Sequence, residues 1–376
     1  MIRPKAAYFF YFAAGACLLP FLALYYAQNG MSASQIGLLS GLLPLVTLVS
    51  APLWGGLADA TQRHRPVLLL AMAGSIVAVA ALSQTSGLRW LIPLVILNAF
   101  FLAPVIPLVD NTVLTMLGDR KSLYGRQRIG GAFGWGLMAP VAGWLIDRVG
   151  MSAAFGGYAL LMLGCLVTVA GLPVERAGGR GSYWRGVAAL LRNGPWVIFL
   201  ASILIGGLAL SIEMSFLFLY MERLGASKTL MGITLAVSTV SELPVWFFAD
   251  RLIERLGTRK VLALSLLACA VQGFGYSLMT NPLVALPIQL LHGLAFSASW
   301  AAGVALSGEI APKGMGATAQ GVFGAVSWGV RAMLGSVLGG LLFEYFGPAA
   351  AFRWGGVAAL VGIGFLWVAS RRTEAR

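Results

Sequence analysis

The chain is a succession of apolar runs of about twenty residues, parted by short polar loops. A helix of that length crosses the hydrocarbon core of a bilayer. In lipid every backbone N–H and C=O must find an internal partner, so such runs are restricted to helices. The pattern predicts twelve spans. The first six run roughly from Ala6 to Gln28, Ile36 to Leu57, Pro66 to Ser83, Leu91 to Leu117, Gly130 to Ile146 and Ser152 to Gly171. The second six run from Trp196 to Tyr220, Thr229 to Phe248, Val261 to Met279, Leu283 to Leu306, Ala319 to Leu342 and Ala349 to Ala369. Composition points the same way: 59% hydrophobic residues, 10% charged and a mean hydropathy of +0.85 are outside the range of soluble domains.

The formal charge of +13 does not indicate nucleic acid, because the basic residues sit in short loops between apolar runs and not on a solvated polar surface. Most of the 26 Lys and Arg fall on one side of the spans, with only Arg89, Arg148, Arg223, Lys228 and Arg353 on the other. The positive-inside rule then places both termini in the cytoplasm. A polar link, residues 173–195, separates an N-terminal bundle of residues 1–172 from a C-terminal bundle of residues 196–376. The link holds Gly178-Gly179-Arg180-Gly181 and a stretch, Trp184 to Leu191, fit for a short interfacial helix. Arg3 and Lys5 before the first span imitate a signal peptide, but the apolar run continues past Cys17 to Tyr26. Cys17, Cys165 and Cys269 all lie within spans, so no disulfide framework is expected. The absence of an Asn-x-Ser/Thr acceptor favours a bacterial inner membrane.

One polar loop stands out: Gly55-Gly56-Leu57-Ala58-Asp59-Ala60-Thr61-Gln62-Arg63-His64-Arg65, between the second and third runs. It recurs, altered, as Asp250-Arg251 through Gly257-Thr258-Arg259-Lys260, near half the chain length away, which implies two similar halves. The loop resembles the motif that major facilitator superfamily transporters carry between their second and third spans. Gly55, Leu57, Ala58, Asp59 and Arg63 match it; Ala60 stands where the family usually has a basic residue, and Gln62 where it has glycine. Asp250, Arg251, Gly257 and Arg259 carry the weaker second copy. The resemblance implies an all-α membrane protein of twelve transmembrane helices in two six-helix bundles. A second echo supports the duplication: Gly143, Asp147 and Gly150 close the fifth span as Gly340, Glu344 and Gly347 close the eleventh.

The residues that bear on function are ionisable groups deep inside spans: Asp110, Glu213, Glu242, His292 and Arg331. Each charge facing lipid at mid-depth costs about 2.5–3.5 kcal/mol, so these groups must face protein or water. Helical spacing gives their companions. Gln289, His292, Phe296 and Ser299 share a face of the tenth span; Ser238, Glu242 and Trp246 one of the eighth; Ser327, Trp328 and Arg331 one of the eleventh; Glu213, Phe216 and Tyr220 one of the seventh. Polar groups beside Trp246, Phe296, Trp328 and Phe216 suit an amphipathic or aromatic solute. Any of the ionisable residues can equally be a structural pair, and Asp110 has Arg126 and Arg128 as candidate partners.

A narrower resemblance rests on Pro107-Leu108-Val109-Asp110, Tyr124-Gly125-Arg126-Gln127-Arg128-Ile129-Gly130-Gly131, Glu242-Leu243-Pro244 and Gln289-Leu290-Leu291-His292-Gly293. These are similar to the phenylpropionate permease-like branch, which is related to the lactose and nucleoside proton symporters. It implies proton-coupled uptake of a small organic solute by a monomer working through alternating access. Glu242, assisted by His292, is expected to carry the proton, since burial favours a neutral carboxylate and histidine titrates near physiological pH. Glu213 and Asp110 are reserves. Arg331, with Gln289, Trp328, Trp246, Phe296 and Phe216, is expected to hold the solute; Asp59 and Asp250 are expected to shape the conformational cycle. A drug-proton antiporter is the alternative within transport, and a non-transporting receptor the alternative outside it. No enzyme, cofactor or metal is expected: His64 and His292 form no metal pair, and no Gly-x-Ser-x-Gly motif is present.

Overall fold

The computed structural model describes residues 2–172, 183–312 and 315–374, so the Gly178–Gly181 part of the expected link lies outside the described residues. Among the described residues every regular element is helical. The spans are α1 (Ile2–Gln28), α2 (Ala33–Thr61), α3 (His64–Ser83), α4 (Leu88–Arg120), α5 (Tyr124–Val149), α6 (Ser152–Ala170), α7 (Gly194–Arg223), α8 (Lys228–Leu256), α9 (Thr258–Ser277), α10 (Pro282–Gln289 with Gly293–Glu309), α11 (Thr318–Phe346) and α12 (Pro348–Val368). The twelve expected runs are therefore twelve helices, with α10 bent by 43° at its break. α2 and α8 run on to Thr61 and Leu256, past the apolar stretches that defined them, because a helix propagates into water more readily than it starts there.

The interruptions have local causes. α1 tightens to a 3₁₀ turn at Leu19–Phe21, where Pro20 removes a donor. α4 breaks at Pro104, and α7 at Gly207. α2 begins on a capping box: Ser32 Oγ accepts from the Gln35 N–H, and Gln35 Oε1 accepts from the Ser32 N–H at 3.0 Å. Without a hydrophobic drive between helices in lipid, close backbone approach decides which spans pair. In α5, a Cβ on Gly130 or Gly134 would run into the carbonyl oxygens of Lys5 and Phe9 in α1. In the C-terminal part, Gly206 of α7 meets Gly362 of α12, and Gly273 of α9 meets Gly356 of α12.

The chain forms two compact units, Met1–Gly179 with Met221–Ala236, and Arg180–Tyr220 with Val237–Arg376. The start of α8 belongs with the first unit for a specific reason. Asp147, near the end of α5, accepts hydrogen bonds from the Lys228 N–H at 2.9 Å, the Thr229 N–H at 2.8 Å and the Thr229 hydroxyl at 2.7 Å. It satisfies donors that the first turn of a helix leaves orphaned. One turn on, Gly232 lies directly against the Ala139 carbonyl. The core of the second unit is built on Trp196, Phe199, Leu262 and Phe323, with Phe199 and Phe323 stacked at 6.0 Å. Leu190 of the short helix Tyr183–Leu191 is buried in that core.

Candidate functional site

Three spans of the second unit bring three of the deep ionisable residues together. Glu213 lies in α7 just after the Gly207 break, and its carboxylate accepts from Gln289 Nε2 at 3.0 Å and pairs with His292 Nδ1 at 3.1 Å. The other ring nitrogen, Nε2, faces Glu242 Oε1 of α8 at 4.0 Å. Glu242 is further held by the Trp246 indole N–H at 3.4 Å and the Ser297 hydroxyl at 3.5 Å. The result is two carboxylates on either side of one imidazole, with Glu213 only 6% exposed.

The break in α10 makes this geometry possible. Between Gln289 and Gly293 the helical ladder is interrupted, which frees backbone groups that lipid cannot satisfy. Ser241, next to Glu242, faces the gap: its hydroxyl accepts from the Gly293 N–H at 2.9 Å, and its one proton has the Ser238 carbonyl at 2.7 Å and the Gln289 carbonyl at 3.2 Å as acceptors. Gly293 is obligatory, because a Cβ there would run into the Ser241 carbonyl. Beyond the break the backbone is π-helical over Gly293–Ala298, and a second π segment, Ala325–Val330, lies in α11. Such segments are frequent at functional sites. Phe296 stacks on His292 at 5.7 Å and meets Trp328 edge-on at 5.7 Å; Trp328 meets Trp300 at 5.8 Å. An aromatic chain thus leads from His292 toward Arg331.

Of the expected site residues, Glu213, Glu242, His292, Gln289, Trp246, Phe296 and Trp328 form this one assembly. Arg331 is buried beside it, next to Ser327 and Phe296. Phe216 is fully buried, its ring 5.3 Å from that of Phe343, and the Tyr220 hydroxyl donates to the Met279 carbonyl at 2.6 Å. Asp110 lies in the first unit. It accepts from the Tyr8 hydroxyl at 2.5 Å and from Arg128 Nη1 at 3.3 Å, and Arg128 also donates to the Tyr124 hydroxyl at 2.8 Å. Sequence reasoning passed over Ser241, Ser297 and Tyr8. Ser241 carried a usable signal, since it adjoins Glu242 in a helix that must pass a broken neighbour.

The polar loops are placed as helix ends. Asp59 Oδ1 is 2.9 Å from Nε2 of His64, whose ring is buried, and Gln62 is the only non-glycine residue with a positive φ, +54°, among the described residues. Its side chain donates back to the Asp59 carbonyl at 2.5 Å. Gly55 has open space around its Cα, and Arg63 is exposed. In the second copy, Gly257 takes φ +82° between α8 and α9, Asp250 is exposed, and Arg251 lies 5.6 Å from the Phe248 ring. Arg259 follows Thr258, whose hydroxyl donates to Glu309 at 2.9 Å.

The MFS_1 like family model matches residues 1–354. The chain belongs to the major facilitator superfamily. A maltose permease of Geobacillus stearothermophilus is 26% identical over 368 residues, 97% of this chain and 93% of that protein. A probable 3-phenylpropionic acid transporter of Escherichia coli (strain K12) is 26% identical over 351 residues, 90% of each. Among solved structures, the nucleoside transporter NupG superposes with a TM-score of 0.83 over 98% of both chains at 17% identity, which speaks for the fold. This facilitator is therefore a multi-pass membrane transporter, and its family and relatives are permeases, not enzymes. Within the superfamily motif, the left-handed Gln62 occupies the place where glycine is usual, and glycine is the residue that conformation favours.

Proposed function

We propose that this facilitator takes up a small organic solute together with protons across a bacterial inner membrane, by alternating access and with both termini in the cytoplasm. The observation that carries the reading is the Glu213–His292–Glu242 cluster. Two acids on one base give the cluster alternative protonation states of similar charge balance, so it is suited to take up or release a proton as the surroundings change. A carboxylate accepts, so His292 Nδ1 carries the hydrogen shared with Glu213, leaving Nε2 free to take a proton from Glu242. Transfer at Nε2 requires the 4.0 Å gap to close by about 1 Å, to hydrogen-bond length. The resulting imidazolium then gives its Nδ1 proton to Glu213. Proton arrival at Glu242, relay through the ring and release from Glu213, or the reverse, would be tied to rearrangement of α7, α8 and α10. The named relatives, a maltose permease and a probable 3-phenylpropionic acid transporter, differ in solute while sharing the small organic class.

The test compares two modes of transport in liposomes. Glu242→Gln mimics the protonated carboxyl, so it should exchange labelled solute across the membrane in counterflow while failing to accumulate it under an imposed pH gradient. Accumulation by that variant with intact proton flux would move the coupling elsewhere. Net extrusion driven by inward protons in the unaltered protein would make it an antiporter.

A further inference from the structure

Arg331, in α11 of the second unit, is 6% exposed, and no ion pair reaches it among the described residues. Its Nε has no acceptor. The guanidinium rests in the notch left by Gly207 at the break in α7, where a Cβ would stand 2.7 Å from Nη1. The deep acids of the unit are engaged elsewhere: Glu213 with Gln289 and His292, Glu242 with Trp246 and Ser297. Arg331 lines a small cavity with Phe296, Ser299, Trp300, Phe323 and Ser327, and no acidic side chain contributes to its wall. The Ser327 hydroxyl, also buried, likewise has no partner.

A desolvated cation and a hydroxyl, both with unused hydrogen-bonding capacity, line one cavity whose other walls are the rings of Phe296, Trp300 and Phe323, the aliphatic Ile203 and Leu210, and Ser299. A neutral guest would leave the positive charge uncompensated, and a cationic one would add to it. A guanidinium fork matches a carboxylate, and ring faces and edges accept a flat apolar body. We infer that Arg331 and Ser327 seat the carboxylate of an aromatic monocarboxylate, the solute of the transport site proposed above, on which reading this inference rests. The present conformation leaves about 10 Å³ of free volume there, so the rings of Phe296 and Trp300 must part to admit the guest. Phe296 and Ser327 each lie in a π-helical segment, where one residue of slack allows a local change of register. The stack of Phe296 on His292 connects the same ring to the proton cluster.

The test is thermal stabilisation of the purified full-length protein in detergent by benzoate, phenylacetate and 3-phenylpropionate, each against its own amide, with sodium chloride as a third arm. At least one acid should raise Tm saturably, while its amide and chloride do not. Arg331→Gln should abolish the shift. Ser327→Ala, too small a change to threaten folding, should weaken the dissociation constant about tenfold, the loss of one hydrogen bond to a charged group. Equal stabilisation by acid and amide, no stabilisation by any of the acids, or an unchanged constant in Ser327→Ala would overturn the assignment. Chloride matching the acids would also overturn it, leaving an inorganic anion site. The coupling proposal fails separately: acid binding that persists while Glu242→Gln still accumulates solute sinks that proposal and leaves the carboxylate seat standing.

Discussion

The two units hold the carboxylates of their spans in opposite states of balance. In the first, Asp110 meets one guanidinium, Arg128, and one hydroxyl, Tyr8, so acid and base are matched one to one. In the second, Glu213 and Glu242 share the single His292, and the unit's deep cation, Arg331, stands apart from both. The polar loops differ as well: both aspartates are exposed, but Asp59 pairs with His64, whereas no ion pair reaches Asp250 among the described residues. A matched pair has no reason to change protonation during a cycle, whereas the trio is the group to which the proposal above assigns that change. On the coupling proposed above, the proton chemistry is concentrated in the second unit.

The sharpest way to break this contrast is to neutralise each acid and measure coupling. Glu242→Gln should lower steady-state accumulation at least tenfold, whereas Asp110→Asn should hold the accumulation ratio within about twofold, at a lower rate. Equal uncoupling by both would erase the distinction. Stability provides the converse test. Asp110→Asn leaves Arg128 without its acid and should cost about 1–2 kcal/mol, a modest figure because Arg128 is partly exposed; adding Arg128→Gln should recover most of the loss. Glu242→Gln should unfold within about 0.5 kcal/mol of the parent protein, since an amide still accepts from Trp246 and Ser297.

The loops allow finer measurements. Asp59→Asn should slow turnover roughly threefold with solute affinity nearly unchanged, because it acts on helix ends and not on the solute. Asp250→Asn should do less, and a larger effect there would reverse the ranking of the two copies. Smallest of all, Gln62→Gly should stabilise the first loop by about 0.5–1 kcal/mol, since it relieves a side chain held at positive φ. A loss of stability would mean that the bond from Gln62 Nε2 to the Asp59 carbonyl outweighs the backbone strain.

Span number and helical class were legible because run length alone settles them; the breaks at Pro104 and Gly207 were not read, since each lies inside a run whose apolar character continues on both sides. Periodicity also gathered Gln289, His292 and Phe296 correctly onto one face. It did not reveal which acid His292 prefers. Glu213 rather than Glu242 is at hydrogen-bond distance, because the 43° bend and the π segment after it re-aim the ring, and a π segment carries no residue signature. The Phe216 ring turned toward Phe343 for a similar reason: helix rotation is set by Gly335 and Gly339 of α11 pressing on Ser211 and Ile212 of α7. Asp110 had Arg126 and Arg128 as candidates; the choice of Arg128, and the contribution of Tyr8 from α1, are tertiary facts.

The notch at Gly207 bears on how the molecule is made. α11 carries its arginine in the middle of a membrane-crossing segment, a burden of about 2.5–3.5 kcal/mol for a helix released alone into lipid. Synthesis runs from the N-terminus, so α7 is already in place when α11 emerges, with the gap beside Gly207 open to receive the guanidinium. Insertion of the last spans is therefore expected to use an earlier helix as a template, and filling that gap with a larger residue at Gly207 should lower the yield of inserted α11, measured by a membrane-insertion assay.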